Sequence, residues 1–410
     1  MAKRPLDGVL FPKGFLAAGV HSGIKPRKGI LDLGLICSEV PATAAATFTT
    51  NRVKAAPVKL SQKRMRRGRA QAIVVNSGNA NAATGKQGDE DARTMTRVTA
   101  GALGLAEADV LVCSTGHIGR LLPMEKIVPG IKKAAASLEQ SPKASRDISR
   151  AILTTDTRPK VARWTGIIAH RRIRLGGIVK GAAMISPQMA TMLAFLTTDL
   201  DIEAPALKSA LKAAVASTFN RILVEGHTST NDTVIILANG LAGNRKLTSK
   251  SRELRKFQEG LSQVCATLAR KIVEDAEGAT KFIEVQVTGA RTEAQAERIA
   301  RAIAISPLVK AAVYGADPNW GRIASAAGYA GVPFKEENLS VSLSGITVFK
   351  RGQPTLPKAG RLNRLMKRKN INFSVDLGMG KAHSLIWTSD LTEKYISLNA
   401  KRHTYRLSQR

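Results

Sequence analysis

Two apolar runs, each ending in a polar glycine-bearing turn and separated by a helical pattern, set the frame for this chain. "QAIVVNSGNANA" (71–82) reads as a buried strand running into a turn of Asn, Ser and Gly. "DARTMTRVTAGALG" then carries apolar residues at helical spacing, and "ADVLVCSTGHIG" (108–119) is again a strand followed by a glycine-bearing loop. The same alternation continues along the chain. "PMEKIVPGIKKAAASL" and "SRDISRAIL" predict helices, "RIRLGGIVKGAAMI" a strand, and "MLAFLTTDL" another. In the second half, "APALKSALKAAVASTFNRI" predicts an amphipathic helix and "DTVIILANG" a buried strand ending in a turn. "RELRKFQEGLSQVCATLARKIVEDAEG" predicts a long helix whose end is marked by Gly278. "TKFIEVQVTGA" alternates imperfectly, as a half-covered strand would, and "EAQAERIARAIAISP" is helical up to its proline. No fixed-period repeat and no low-complexity linker interrupts this order. Strands and helices that alternate without a linker imply α/β layers, with helices covering sheets.

The abnormal quantity is charge. The chain carries a formal net charge of +32 over 410 residues, which raises the question of nucleic acid or anionic membranes. The densest clusters are "KRMRRGR" (63–69) and "RLNRLMKRK" (361–369), and neither comes with an RNA-binding motif, a zinc finger or stacking aromatics. Aromatics are only 4% of the chain. The clusters are therefore expected to be solvated helix faces, with no nucleic-acid partner, and the charge to attract carboxylate-bearing metabolites. No uninterrupted apolar run reaches the roughly 18 residues of a membrane span, so no membrane partner is expected. The basic N-terminal residues lack an apolar segment behind them, so no secretory signal is read and the cytoplasm is the expected compartment. Cys37, Cys113 and Cys265 are odd in number and far apart, which predicts buried free thiols and no metal site.

"MISPQMATMLAFLTTD" (184–199) has the apolar weight of a core strand but a Pro, a Gln and an Ala-Thr step at its centre. Thr is β-branched and favours strands, so a structural role for Thr191 is the ordinary reading. The chemistry also allows a cut. The Thr191 hydroxyl can attack the Ala190 carbonyl through a five-membered ring, giving an ester that water opens. The new N-terminal amine, with an ordinary pKa of about 7.7–8.0, would then serve as base for its own hydroxyl. Local sequence leaves both readings open.

The segments "FPKGFLAAGVHSGIK", "TFTTNRVKAAPV", "VVNSGNANAATG", "STGHIGRLLPMEKI", "TTDTRPK", "KGAAMISPQMATMLAFLTTD", "FNRILVEGHTSTNDTV", "EGATKFIEVQVTGA" and "VKAAVYGADPNWGRI" resemble, in order, the blocks of the ornithine acetyltransferases, or bifunctional glutamate N-acetyltransferases, of arginine biosynthesis. The resemblance runs from Phe11 to Thr404. It implies two sheets between helices, an αββα-like layering. It also implies self-cleavage between Ala190 and Thr191, giving an α chain of residues 1–190 and a β chain of residues 191–410. Thr191 is then the nucleophile, and Thr115 and Gly116 form the oxyanion hole. Substrate-binding roles carry onto Thr154, Lys180, Thr191, Glu277, Asn399 and Thr404. The implied reaction moves an acetyl group from N2-acetylornithine to L-glutamate with no cofactor or metal, and acetyl-CoA as an additional donor is left open. The implied assembly is a heterotetramer of two α and two β chains.

The alternative is a related autoprocessing amidohydrolase or aminopeptidase with an N-terminal Thr, in which water takes the acyl group. The chain departs from the family pattern at Glu225 and His227, which stand in "VEGHTSTND" where aspartates are usual, at "WTSDLT", and in an arginine-bearing tail beyond Thr404. His227 is read as a local loop substitution, because the N-terminal amine already supplies a base.

Overall fold

Strands buried on both faces must be apolar at every position, and this accounts for the unbroken runs of the first half. The computed structural model describes residues 6–186, 192–355, 357 and 359–400. They fall into two compact units, the first of residues 6–181, 192–220 and 228–272, the second of 182–186, 221–227 and the chain from 273 onward.

The first unit holds β1 (Phe15–Val20), β2 (Leu33–Phe48), β3 (Arg69–Asn79), β4 (Val110–His117), β5 (Lys160–Ile168), β6 (Arg171–Lys180), β7 (Leu193–Thr198) and β8 (Thr233–Ala238) in one sheet. The order is β4-β3-β2-β8-β7-β6-β5, with β3–β4 and β7–β8 parallel and the other pairs antiparallel. β2 is long enough to serve two neighbours in turn, β1 along Leu33–Ser38 and β8 along Thr43–Phe48. Its pairing with β3 is interrupted between Cys37 and Ala42. Pro41, which has no N–H for the ladder, lies within that gap.

The unit's helices are α1 (Ala56–Arg64), α2 (Gly85–Leu103), α3 (Met124–Ala136), α4 (Pro142–Ala151), α5 (Ala204–Ser217) and α6 (Leu254–Glu274), the last running two residues into the second unit. Alternate residues of β3 and β4 enter two different cores. Ile73, Val75, Leu111 and Cys113 pack with Ile148 of α4, while Ala72, Val74, Val110 and Val112 pack with Met95 of α2 and Ile127 and Ile131 of α3. Cys37, Cys113 and Cys265 are buried free thiols, as expected.

The second unit holds β9 (Phe282–Ala290), β10 (Ser340–Leu343), β11 (Ile346–Lys350), β12 (Gln353–Pro354), β13 (Asn370–Asp376) and β14 (Ala382–Ser389), ordered β12-β11-β10-β13-β9-β14. Only β13–β9 is parallel among these pairs. Its helices are α7 (Glu293–Ile305), α8 (Pro307–Tyr314), α9 (Trp320–Gly328), α10 (Ala359–Met366) and α11 (Glu393–Ala400). Ile283, Val285 and Val287 of β9 face a core with Ile299 and Ile303 of α7, Val313 of α8 and Ile323 of α9. The residues between them are only half-buried, so β9 is the half-covered strand its alternation predicts. The α/β layering read from the sequence is therefore what the chain adopts. Among the described residues no helix is long and apolar enough to cross a membrane.

Two local expectations change and a third holds. The strand predicted through "RIRLGGIVKGAAMI" stops at Lys180. Beyond it Met184 has a positive φ of 58°, and its N–H bonds the Glu225 carboxylate instead of a neighbouring strand. The long helix stops at Glu274, not at Gly278. Gly278 has a φ of +73°, and a Cβ there would sit 2.5 Å from the Tyr395 backbone nitrogen, so the residue serves the close approach of α11. The helix expected to run up to a proline does so, ending at Ile305, and another follows directly because Pro307 occupies the first turn of α8 and the Ser306 hydroxyl accepts from Val309 N–H at 3.4 Å.

The expected cut has a defined topological place. β6 and β7 are adjacent antiparallel strands, and Lys180 is paired with Leu193. Residues 181–192 are thus the connection between two neighbours of one sheet, and strand pairing on both sides does not depend on its continuity.

Candidate active site

In the first unit the candidate residues gather where β3 and β4 end. The two strands run parallel, with Ser77 opposite Thr115 and Gly78 opposite Gly116. Gly116 has a φ of +137°, and a Cβ there would lie 2.2 Å from the Gly78 carbonyl carbon and 2.4 Å from the Asn79 nitrogen. Only glycine fits, on both conformational and steric grounds. Thr115 is buried, and its Oγ1 accepts a hydrogen bond from the Lys180 ammonium at 3.2 Å. Lys180 is the last residue of β6 and is also buried. Two residues 65 positions apart are thus in contact.

A hydroxyl has one hydrogen to donate and two lone pairs. Because Lys180 occupies one lone pair of Thr115, the Thr115 hydrogen is left to be aimed elsewhere.

Beneath this contact lies Asp156. Its Oδ1 accepts from the Lys160 ammonium at 2.6 Å and the Gly181 N–H at 2.8 Å, and its Oδ2 accepts from the Thr154 N–H at 3.0 Å. Both side chains of the Asp156–Lys160 pair are fully buried. Burial alone would raise the Asp156 carboxyl, but the Lys180 and Lys160 charges and these donors outweigh it and hold it down to about 2. One carboxylate therefore ties the Thr154 loop to the end of β6, and Thr154 joins Thr115 and Lys180 through it.

Lys25 closes another side. Its ammonium donates to Leu31 O at 3.1 Å and Leu153 O at 2.6 Å, and its stem lies over Gly78, where a Cβ would meet Lys25 Cγ at 3.3 Å. Burial and the Lys180 charge push the Lys25 ammonium down to about 8 against the pull of Asp32 and Asp156. Its loop is fixed by the fully buried Asp32, which accepts from the N–H groups of Ser22, Gly23 and Lys25 and from the Ser22 hydroxyl.

The chain re-enters this neighbourhood at Met192. Its N–H donates to Oδ1 of Asp232 at 2.9 Å. Asp232 is fully buried, and burial raises its carboxyl well above the ordinary range in spite of that bond and the Lys180 charge. The adjacent Asn231 donates through Nδ2 to Ala80 O at 2.6 Å and Ser114 O at 2.8 Å, so this loop is fastened to the ends of β3 and β4. Ala190 and Thr191, the expected cleavage site and nucleophile, lie outside the described residues.

In the second unit, Glu277 and Asn399 are brought together. The Asn399 side-chain amide donates to Glu277 Oε2 at 3.0 Å, and Glu277 is buried while its own N–H donates to Ala182 O at 2.8 Å. Thr404 lies outside the described residues. Glu225, one of the departures from the family pattern, is not a surface substitution. It accepts from the Met184 N–H, and burial raises its carboxyl to about 7 against the Met184 bond and the Lys310 charge. Lys310 donates to Val224 O at 2.7 Å and the Thr388 hydroxyl at 3.0 Å, and burial lowers its ammonium to about 8. His227 is exposed, in keeping with a local loop substitution.

The Glu225 environment makes a pH prediction. A carboxyl whose folded pKa is raised from about 4.5 to about 7 stabilises the fold below the unfolded value. That contribution is lost as pH rises through 7 and is worth up to about 3 kcal/mol. Glu225→Gln is expected to flatten the fall in melting temperature between about pH 5 and pH 8, measured by thermal unfolding. An unchanged slope would mean that Glu225 is not the group responsible.

Asp156, Lys160, Lys25 and Asp232 were not among the sequence candidates. The first two stand four residues apart with opposite charges inside "TTDTRPK", a signal available in principle. The other two are marked only by the fold.

A profile of the ArgJ family matches residues 16–404. The arginine biosynthesis bifunctional protein ArgJ of Symbiobacterium thermophilum is 45% identical over 398 residues, covering 97% of this chain and 98% of that protein. The protein of the same name from Thermotoga neapolitana is 46% identical over 399 residues, covering 96% and 99%. Among solved structures, a chain of the ArgJ protein from Bacillus halodurans matches with 41% identity and a TM-score of 0.48, covering 50% of this chain and 96% of that one.

Proposed function

The chain belongs to the ArgJ family of arginine-biosynthesis acyltransferases, and we propose that it works through Thr191, freed by self-cleavage, as a glutamate N-acetyltransferase. The observation that carries the reading is the Lys180–Thr115 contact beside Gly116. Leu193 is the strand partner of Lys180, and two residues of chain span at most about 7 Å. Chain connectivity alone therefore keeps the Thr191 backbone within that distance of Leu193.

In the proposed sequence Thr191 Oγ attacks the Ala190 carbonyl, the Ala190–Thr191 amide shifts to an ester, and water hydrolyses it to leave Thr191 with a free amine. That amine takes the hydroxyl proton as Oγ attacks the acetyl carbonyl of N2-acetylornithine. The Thr115 hydroxyl and the Gly116 N–H receive the developing oxyanion, each such donor being worth about 2.7–4 kcal/mol. The C–N2 bond breaks, the proton passes to the departing amine, and ornithine leaves. Glutamate's amine then attacks the acetyl-Thr191 ester and regenerates the hydroxyl.

Lys180 supplies positive charge for an α-carboxylate. Thr154, Glu277, Asn399 and Thr404 complete substrate recognition, with the Glu277 carboxylate the partner for the ornithine ammonium. Acyl exchange of this kind is balanced without metal or prosthetic group. Acetyl-CoA serves as a second donor in the same reading, suited to relatives named bifunctional. The working assembly is two α and two β chains in the cytoplasm.

The test is incubation with N2-acetylornithine, with and without glutamate, alongside intact mass measurement of the protein. We expect N-acetylglutamate only when glutamate is present, and fragments that begin at Thr191. Ornithine release indifferent to glutamate would overturn the transferase in favour of a hydrolase.

A further inference from the structure

The sequence alone suggested that the basic clusters are scattered, solvated faces, but the fold collects one of them. A groove of about 1010 Å³ in the first unit is lined by Lys59 and Lys63 of α1, by Arg66 and Arg67 of the turn after it, and by Lys208 and Lys212 of α5. All six are exposed. Among the described residues no acidic side chain lines the groove. Arg67 is paired with Asp109 at 2.9 Å, and Lys59 approaches Asp89 only at 4.0 Å. Lys63, Arg66, Lys208 and Lys212 form no ion pair among the described residues.

The two lysine pairs are each four apart on a helix, so each pair presents its charges along one face, about 6 Å apart in rise. α5 also begins at the groove, with Ala204 and Pro205 in its wall, which adds the positive end of a helix dipole. The rest of the lining is mostly small and apolar, alanines of β2 with Phe48 and Met65, joined by Thr47 and Gln62.

We propose that this groove binds single-stranded nucleic acid through its phosphate backbone, without sequence preference. A linear polyanion with one charge per residue matches two rows of exposed cations on α1 and α5, of which only Lys59 has an acidic partner among the described residues, Asp89 at 4.0 Å. The apolar lining can take bases, which neither inorganic polyphosphate nor an acidic peptide offers in the same alternation. A concave groove admits a strand, whereas a duplex is read by convex elements that enter its own grooves. The lack of an exposed aromatic platform in the groove removes the usual source of strong stacking, so binding is electrostatic and salt-dependent. The groove's cations are none of the acyl-transfer residues, although its Phe48 is paired with Thr233, which also pairs with Leu193. Gly68, where the cations Arg66 and Arg67 lie, and Gly78 beside Gly116 are at opposite ends of β3, about 30 Å apart at strand rise.

The measurement is fluorescence polarisation of a labelled oligouridylate of about 20 nucleotides against the full-length protein at several salt concentrations. Four phosphate contacts predict a slope of log K on log salt near −3, equivalent to about a 50-fold loss between 50 and 200 mM salt. The Lys63→Gln/Arg66→Gln/Lys208→Gln/Lys212→Gln variant is expected to bring the slope close to zero and leave acetyl transfer intact. Neutralising the comparably basic α10 cluster, with Arg361→Gln/Arg364→Gln/Lys367→Gln, is expected to leave the slope unchanged. Equal loss in both variants would overturn the proposal by showing diffuse attraction to net charge. So would binding of polyglutamate or of a duplex as tight as that of the oligouridylate.

Discussion

Thr191→Ala is expected to give a protein that purifies as one uncut chain and transfers no acetyl group, a loss of at least about 10⁴-fold, since removal of a nucleophile leaves only binding and oxyanion stabilisation. Both effects follow from one oxygen. Without it no attack on the Ala190 carbonyl occurs, no N-terminal amine is released, and no ester can hold the acetyl group. The fold should survive, because β6 and β7 pair on either side of the connection whether or not it is cut. Thermal unfolding near that of the wild type is therefore part of the expectation. Thr191→Ser keeps the hydroxyl and should restore cleavage at a reduced rate, separating loss of the nucleophile from loss of shape. A Thr191→Ala protein that is still cut before position 191, or that still forms N-acetylglutamate, would remove Thr191 from the mechanism.

Why some of this was readable in advance, and some was not, has physical causes. β3 and β4 were legible because burial on both faces leaves no polar positions to blur the pattern. β2 is the longest strand, yet its second half reads "PATAAATF", where small residues carry little apolar weight and Pro41 breaks the run. The end of β6 was overextended because "AAMI" looks like more strand. Past Lys180 the Gly181 N–H goes to Asp156 and the Met184 N–H to Glu225, 41 residues away, and no local pattern encodes either bond.

The site divides in the same manner. Thr115, Gly116 and Lys180 were found by resemblance, and the structure adds that Thr115 and Lys180 touch. Their supports were invisible because the signal lies in burial. Asp232 is an ordinary loop aspartate in sequence, and only the fold shows it fully enclosed beneath the Met192 N–H. Glu225 was noted as a departure from the family, but its place as an acceptor for the connection after β6 required coordinates.

Asp156→Ala is expected to cost about 3–5 kcal/mol of stability and about 10²-fold in acetyl transfer. The stability loss arises because Lys160 and Lys180 are both buried and Asp156 is held down by both charges. Deleting the carboxylate takes a counter-charge away from two buried cations in a poorly solvated place, the most costly way to break a buried pair. The activity loss arises because the same carboxylate fixes the Gly181 and Thr154 N–H groups, and a displacement of about 1 Å at a reacting centre can cost that factor.

The acid response carries the same signature. A folded pKa near 2, against an ordinary 3.8, stabilises the protein above the unfolded value, and that contribution is lost as pH falls from about 4 through 2. It amounts to about 2 kcal/mol, and the variant should lack that component of acid unfolding. Denaturant titrations across this pH range and steady-state kinetics at neutral pH check the two parts. The double change Asp156→Leu/Lys160→Met separates them further, because replacing a buried pair by apolar side chains can recover stability but cannot hold Gly181 and Thr154 in place. Recovery of stability with activity still depressed identifies Asp156 as a positioning residue. Recovery of both together would reduce it to a structural ion pair.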